Sequence, residues 1–144
     1  MENYGMKELT DLLHEKKCSC VIRNGATTRT FNQRGVADLY ELLMTEADFL
    51  NGAEMADKIV GKGAAALMVA GHIRRIHADV ISKPALKLLE ENGIEVTYTT
   101  LADGIINRKG DGPCPVESMC STTEDVSKMV EMIGDFVAKM KANK

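Results

Sequence analysis

The 144-residue sequence contains no tryptophan, only three phenylalanines, only three tyrosines and only three prolines. So few aromatic side chains offer no platform on which nucleic acid bases could stack. A formal charge of −3 and a pI near 5.6 also lack the basic excess that binds a phosphate backbone. We therefore expect no nucleic acid partner.

Long hydrophobic runs are also missing. The longest unbroken apolar run is Ala64–Ala70, which is far shorter than a membrane span. The first residues lack the basic end and the apolar stretch of an export signal. We therefore expect a cytoplasmic protein with no membrane partner, whose four cysteines are reduced thiols.

The remaining composition is typical of a globular protein. Hydrophobic residues make up 44% of the chain and charged residues 27%, which is enough for one hydrophobic core. We expect a single domain over residues 1–144, with its core at about 6–120 and a C-terminal helix at about 122–141. The near-neutral surface, which carries methionines, permits a homo-oligomer.

The first half of the chain predicts a helix, a hairpin and two further helices. Asn24-Gly25 lies between two β-forming stretches, Cys18–Arg23 and Ala26–Phe31, and is a strong hairpin signal. Apolar residues over Glu54–Ala70 cover most of a helical circumference, which predicts a helix buried on more than one side.

The second half alternates between strands and helices. Period-two patterns predict strands at Ile73–Ile81 and Ile94–Thr99, with a helix between them that Ser82 caps. The segment Leu101–Cys120 is expected to be mostly loop, and a capping box of Ser121 and Glu124 predicts the start of the last helix. The resulting order, α-ββ-α-α-β-α-β-α, predicts an α/β fold, a three-layer α-β-α sandwich with a mixed sheet.

The hairpin, the alanine-rich buried helix and the passage from strand to helix at Ile81–Pro84 resemble the cytidine deaminase-like fold. In that superfamily the two core helices begin with His/Cys-x-Glu and Pro-Cys-x-x-Cys, which hold a zinc ion. The corresponding stretches here are Met55–Asp57 and Pro84–Leu88, and they carry neither histidine nor cysteine. The resemblance therefore implies the fold without the metal and without a cofactor.

A closer resemblance is to an uncharacterised prokaryotic family of unknown function, number 1893. Three motifs carry it over roughly Leu9 to Glu117, and they are Ala56-Asp57-Lys58-x-x-Gly61-Lys62, Ile106-Asn107-Arg108 and Cys114-Pro115-Val116-Glu117. Members of this family resemble deaminases without the zinc motif, which implies a fold and no established activity.

The binding site that we favour lies at the starts of the two core helices, where free N–H groups and lysines favour an anion. We expect a nucleotide-like or other anionic small molecule in the cleft that the zinc would have occupied. The expected ligand-binding residues are Asp57, Lys58, Gly61, Lys62, Ser82, Lys83, Asn107 and Arg108. Asp57 would accept a hydrogen bond from a ribose or base, and Arg108 would close over the ligand.

Two rival functions remain open. One is a thiol-dependent enzyme with Cys114 as the nucleophile and Glu117 as its proton-handling partner. The other is a structural or regulatory protein whose pocket is vestigial. A displaced zinc site at His77-Ala78-Asp79 is not expected, because His77 lies within a strand pattern and not at a helix start.

Overall fold

Seven helices and five strands make up the part of the chain that this computed structural model describes, residues 2–33, 36–105 and 114–142. In chain order they are α1 (Glu2–Lys16), β1 (Cys20–Asn24), β2 (Thr27–Phe31), α2 (Ala37–Thr45), α3 (Ala47–Leu50), β3 (Glu54–Val60), α4 (Lys62–Gly71), β4 (Arg75–Ser82), α5 (Lys83–Glu91), β5 (Glu95–Ala102), α6 (Pro115–Cys120) and α7 (Val126–Ala142). None of the helices in these ranges is long and apolar enough to cross a bilayer.

The five strands form one mixed sheet in the order β2-β1-β3-β4-β5. β1 is antiparallel to both of its neighbours, whereas β3, β4 and β5 are parallel. Gly25 supplies the positive φ of 59° that the tight turn between β1 and β2 needs. The predicted hairpin and the predicted mixed sheet are both confirmed.

Helices cover both faces of the sheet. On one face α1 packs Leu9 and Leu13 against Val21 and Ala56 in a small apolar cluster. On the other face a larger core joins the strands to α2, α4, α5 and α7, and Met55 is fully buried in it. The strand order and this packing place the starts of α4 and α5 at the same edge of the sheet.

The predicted helix over Glu54–Ala70 is wrong in its first half. Residues Glu54–Val60 form the central strand β3, and the helix begins only at Lys62. A strand that is covered on both faces has apolar residues on both sides, and in β3 these include Met55 and Ala56. In the sequence such a strand cannot be distinguished from the start of the apolar helix that follows it.

The segment before the last helix also differs from the prediction. Pro115–Cys120 is helical, although this region was expected to be mostly loop. Ser121 ends α6 and does not start the next helix, which begins at Val126. Asp125 takes the capping role, since its Oδ1 accepts the N–H of Ser127 at 2.9 Å.

Candidate functional site

Two helix starts lie side by side at the carboxyl edge of β3 and β4. Val60 pairs with Ile81 in the parallel register, and each strand passes directly into its helix. α4 therefore begins after Gly61 and α5 after Ser82, at neighbouring points of the sheet edge. Below, we call this region the helix-start edge. Backbone N–H groups at helix starts have no partner within the helix and attract acceptors.

Buried polar side chains concentrate at the helix-start edge. Lys62, Arg75, Ser82 and Glu117 are the buried polar or charged side chains among the described residues. Three of these four belong to this edge, whereas Arg75 lies at the opposite end of β4. Burying a charged group costs free energy unless the group is paired. The clustering of buried polar side chains at this edge therefore indicates a specific role for them.

Glu117 reaches the start of α4 from α6. One carboxylate oxygen, Oε2, accepts the backbone N–H of Lys62. Gly61 permits this approach, because a Cβ at that position would overlap Oε2. Gly63 does the same for the neighbouring Val116, whose Cγ1 occupies the space that a Cβ would need.

The second oxygen of Glu117, Oε1, is buried and has no hydrogen-bond partner among the described residues. Only 8% of the residue is exposed. A buried acceptor left without a donor costs roughly 1–3 kcal/mol, and more for charged groups. Such an oxygen is therefore a place where a donor from outside the chain would be stabilising.

Lys62 is committed to contacts within the protein. Its ammonium Nζ donates to the Glu124 Oε2 at 2.7 Å and to the carbonyl oxygen of Thr123 at 2.9 Å. The hydrogen bond and charge of Lys62 lower the pKa of Glu124. Through these contacts Lys62 links α4 to the turn that precedes α7, and its ligand-binding role stays a prediction.

Ser82 and Lys83 stand at the start of α5. The Ser82 Oγ accepts the N–H of Ala85 at 3.2 Å, so Ser82 is the predicted helix cap, with Pro84 in the first turn. Lys83 is exposed and forms an ion pair with Asp103 at 2.8 Å. The hydrogen bond from Lys83 to Asp103 raises the pKa of Lys83.

Asp57 and Lys58 do not lie where the sequence predicted them. Both belong to strand β3 and not to the first turn of a helix, so Lys58 and Lys62 share no helical face. Burial raises the pKa of Asp57 to about 7, although the N–H groups of Ile59 and Lys58 oppose the shift. The described contacts do not join Asp57 to Glu117 or to Lys62.

The other candidate residues fall in two groups. Asn107 and Arg108 lie outside the described residues. Cys114 is the N-cap of α6 and is half-buried, and its N–H donates to the Ile105 carbonyl at 2.7 Å. Glu117 and Cys120 follow this N-cap at intervals of three residues, a spacing that brings side chains to neighbouring points of a helix surface.

The remaining thiols are withdrawn from solvent. Cys18, Cys20 and Cys120 are buried, as expected for Cys18 and Cys20. Burial raises the pKa of Cys120 to about 11, against the lowering charge of Lys62. Burial likewise raises the pKa of Cys20, with Asp57 adding to the effect. Within the described ranges, no group of three or more His, Cys, Asp or Glu residues is placed to hold a metal ion.

His77 lies in strand β4, as predicted, and takes part in a polar cluster under α1. The Nδ1 of His77 is 2.8 Å from the Oγ1 of Thr97. The carboxylate oxygen Oδ2 of the neighbouring Asp79 is 2.8 Å from the Nε2 of His14 in α1. Burial lowers the pKa of His77 against the opposite effect of Asp79. This cluster ties α1 to the sheet, away from the helix-start edge.

Two shallow clefts of the described surface lie elsewhere. One, of about 330 Å³, runs between α1 and the strands β4 and β5, with Thr10 and His77 in its wall. The other, of about 290 Å³, lies by the loop that ends α4, near His72 and Asn92. Neither of these two clefts is lined by Met55, Asp57 or Ser82, and Met55 is buried in the core.

The sequence pointed to Glu117 as part of a family motif and as a partner for Cys114, but it gave no sign that Glu124 pairs with Lys62. Glu117 and Lys62 are 55 positions apart in the sequence, and no short motif encodes their contact. The usable signal was the spacing of Val116, Glu117 and Cys120, which places apolar and polar groups on a short buried helix.

Comparisons with known proteins agree with this fold. A family profile described as a domain of unknown function, DUF1893, matches residues 8–137. A crystal structure of a DUF1893 family protein from Thermotoga maritima is similar, with a TM-score of 0.81 and 27% sequence identity. The similarity covers 90% of this chain and 87% of that one. No curated protein matches. The chain therefore belongs to the DUF1893 family.

Proposed function

We propose that this protein binds a nucleotide-like small molecule at the helix-start edge. The observation that carries the proposal is the burial of Lys62, Ser82 and Glu117 at this edge, with one oxygen of Glu117 that has no donor among the described residues. Ligands of parallel sheets commonly bind outside the carboxyl ends of the strands, where helix starts supply donors.

The anionic part of such a ligand belongs on the α5 side of the edge. Lys83 is exposed there, and its partner Asp103 is itself almost fully exposed, so their ion pair is easily exchanged. On the α4 side, Lys62 and its backbone N–H are already bound to Glu124 and Glu117. Lys83 is therefore the lysine that we assign to an anionic group.

Thermal-shift measurements with nucleosides, nucleotides, ribose 5-phosphate and pyrophosphate test the proposal. A ligand that binds only the folded state raises the melting temperature, since it adds RT ln(1 + [L]/Kd) to the free energy of unfolding. Lys83→Ala should reduce the shift that phosphate-bearing compounds cause. Lys7→Ala is the matched control, because Lys7 is also an exposed lysine in an ion pair, here with Asp11 of α1. No shift with any compound contradicts the proposal.

A second candidate function, thiol-dependent catalysis, is favoured by one observation. Cys114 is the only one of the four cysteines that is not buried, and it lies three residues before Glu117 on α6. A nucleophilic thiol must be accessible and must ionise readily. This candidate would be supported if Cys114 is alkylated faster at neutral pH than an ordinary free thiol, and if the fast alkylation disappears in Cys114→Ser. An ordinary rate would remove its support.

We also propose that the fold is cytidine deaminase-like. The resemblance was suggested by the hairpin, the alanine-rich buried helix and the passage from strand to helix at Ile81–Pro84, which correspond to β1 and β2, to α4, and to the junction of β4 and α5. The start of α4 is Gly61-Lys62-Gly63, so the comparison with a zinc motif belongs there and not at Met55–Asp57. Neither this start nor Lys83-Pro84 offers a thiolate or imidazole. Superposition of an experimental structure on a zinc-containing deaminase tests the assignment.

A further inference from the structure

We propose that the ligand of the helix-start edge donates an N–H group to Glu117, as an aminated heterocycle does. This inference rests on the binding function proposed above and names the chemistry of its ligand. It concerns the carboxylate oxygen Oε1, which no described residue satisfies.

The two oxygens of Glu117 have different roles. Oε2 accepts the N–H of Lys62 and so completes the start of α4. Oε1 is buried beside it, and a carboxylate oxygen can only accept a hydrogen bond. Buried acceptors in folded proteins nearly always have a donor. The missing partner at this point is therefore a donor, and a ligand N–H or amino group supplies one.

A phosphate does not fit the same position. The start of α4 already holds the Glu117 carboxylate, and a second anion beside it would be repelled. The ammonium group of Lys62 is occupied by Glu124 and by the carbonyl oxygen of Thr123. The α4 side of the edge thus selects a donor, while an anionic group belongs beside Lys83.

The site is closed in this structure. Glu117 is 8% exposed, and Val116 of the same helix packs onto Gly63. A ligand donor therefore reaches Oε1 only when α6 separates locally from the start of α4. Because binding requires this separation, we expect the amides of α6 to exchange faster with solvent once the ligand is bound.

Matched pairs of nucleosides test the inference on the unmodified protein. Calorimetric titration compares adenosine with purine riboside, and cytidine with its analogue that lacks the 4-amino group. We expect the amino-bearing member of at least one pair to bind tenfold or more tightly than its partner. Sites built around a hydrogen bond reject the analogue that lacks it.

Glu117→Gln adds a second readout. The glutamine oxygen can still accept the Lys62 N–H, which leaves its NH₂ group facing the ligand as a donor. We expect the affinity for the amino-bearing nucleoside to fall at least tenfold, while the melting temperature shows that the variant folds. Glu124→Gln, which changes an exposed carboxylate on the other side of Lys62, should leave that affinity within twofold.

The remaining outcomes are informative in different ways. If nucleosides bind equally with and without the amino group, or if Glu117→Gln leaves their affinity unchanged, the inference is overturned and the binding function stands. If ribose 5-phosphate or pyrophosphate binds and no nucleoside does, the inference is likewise overturned while the binding function stands. If no compound binds, the proposed function fails as well.

Discussion

Asp57 is a carboxylate in the middle of the sheet that no described cation neutralises. Burial raises its pKa to about 7, since the charged form is poorly solvated there. The N–H of Ile59, 3.3 Å from its Oδ1, opposes this effect without cancelling it. A proton therefore resides on Asp57 in a large fraction of molecules at neutral pH.

This raised pKa predicts that the protein loses stability as the pH rises. The folded state binds the Asp57 proton more tightly than the unfolded state, whose pKa is about 3.9. The resulting stability is fully present below that value and is lost as the pH rises through about 7. The loss has a slope of at most about 1.4 kcal/mol per pH unit. Urea denaturation at pH 5, 6, 7 and 8 measures it.

Asp57→Asn should remove that dependence. The amide is uncharged at every pH, so the variant should be more stable than the natural protein at pH 8. Asp11→Asn, at an exposed aspartate on α1, is the control and should leave the pH profile unchanged. Parallel profiles for Asp57→Asn and the natural protein would refute this explanation.

Single residues were predictable from the sequence where their role is local. The Ser82 cap depends on a partner three residues away, and the burial of Cys18 and Cys20 was expected because free cysteine is among the most buried residue types. Lys62 was not predictable, because its partners Glu117 and Glu124 come from the far end of the chain. A lysine beside a helix start looks the same in the sequence whether it binds a ligand or a glutamate.

At the scale of elements, amphipathic patterns identified one-sided helices and paired strands. The hairpin, β4 and α5 have turn or cap residues at their ends, and their boundaries were predicted to within two residues, whereas β5 continues to Ala102, beyond its predicted end at Thr99. β3 has no such boundary, since a single glycine, Gly61, separates it from α4. Tertiary burial, and not local propensity, therefore decides where that strand ends.

The contact between α4 and α6 predicts an unusual response to a glycine substitution. In an exposed helix, replacing glycine by alanine stabilises by up to about 1 kcal/mol. At Gly63 the new Cβ would overlap the Cγ1 of Val116, a stiff and buried side chain. We therefore expect Gly63→Ala to destabilise the protein by about 1–3 kcal/mol, as other overpacked cores do. Chemical denaturation measures the change.

Two companion variants separate this overlap from other causes. Val116→Ala in the Gly63→Ala background should recover part of the lost stability, because it removes the overlapping methyl group. Gly104→Ala should be close to neutral, since a Cβ there meets nothing within 4 Å. A Gly63→Ala variant as stable as the natural protein would mean that α6 does not pack onto α4 in this way.

At the scale of the whole molecule, the two ends of the parallel strands have different chemistry. The carboxyl end holds the unsatisfied oxygen of Glu117, whereas the amino end holds a carboxylate with several cations. Glu54, at the start of β3, accepts hydrogen bonds from Arg23 and contacts Arg75 at 3.0 Å and Arg74 at 3.1 Å. The Glu54 carboxylate is paired with several arginines and therefore stabilises the sheet, whereas Oε1 of Glu117 has no donor among the described residues and marks the end at which we propose a ligand.

The paired end predicts a specific loss of stability. Burial would raise the pKa of Glu54, but the hydrogen bond and charge of Arg23, together with Arg75 and Arg74, lower it overall. The stability from this lowered pKa is present above the unfolded value of about 4.3 and is lost as the pH falls. Glu54→Gln should cost about 3 kcal/mol at pH 7, because it removes the counter-charge of a buried arginine.

Glu95→Gln is the matched control for this loss. Glu95 also faces Arg75, but at 3.9 Å and with an exposed side chain, so its pair contributes at most about 1 kcal/mol. Between pH 7 and pH 3 the natural protein should lose stability toward the level of Glu54→Gln, since protonation of Glu54 has the same effect as the substitution. Equal costs for Glu54→Gln and Glu95→Gln would show that the three arginines do not depend on Glu54, and the contrast between the two ends of the sheet would then lose its energetic basis.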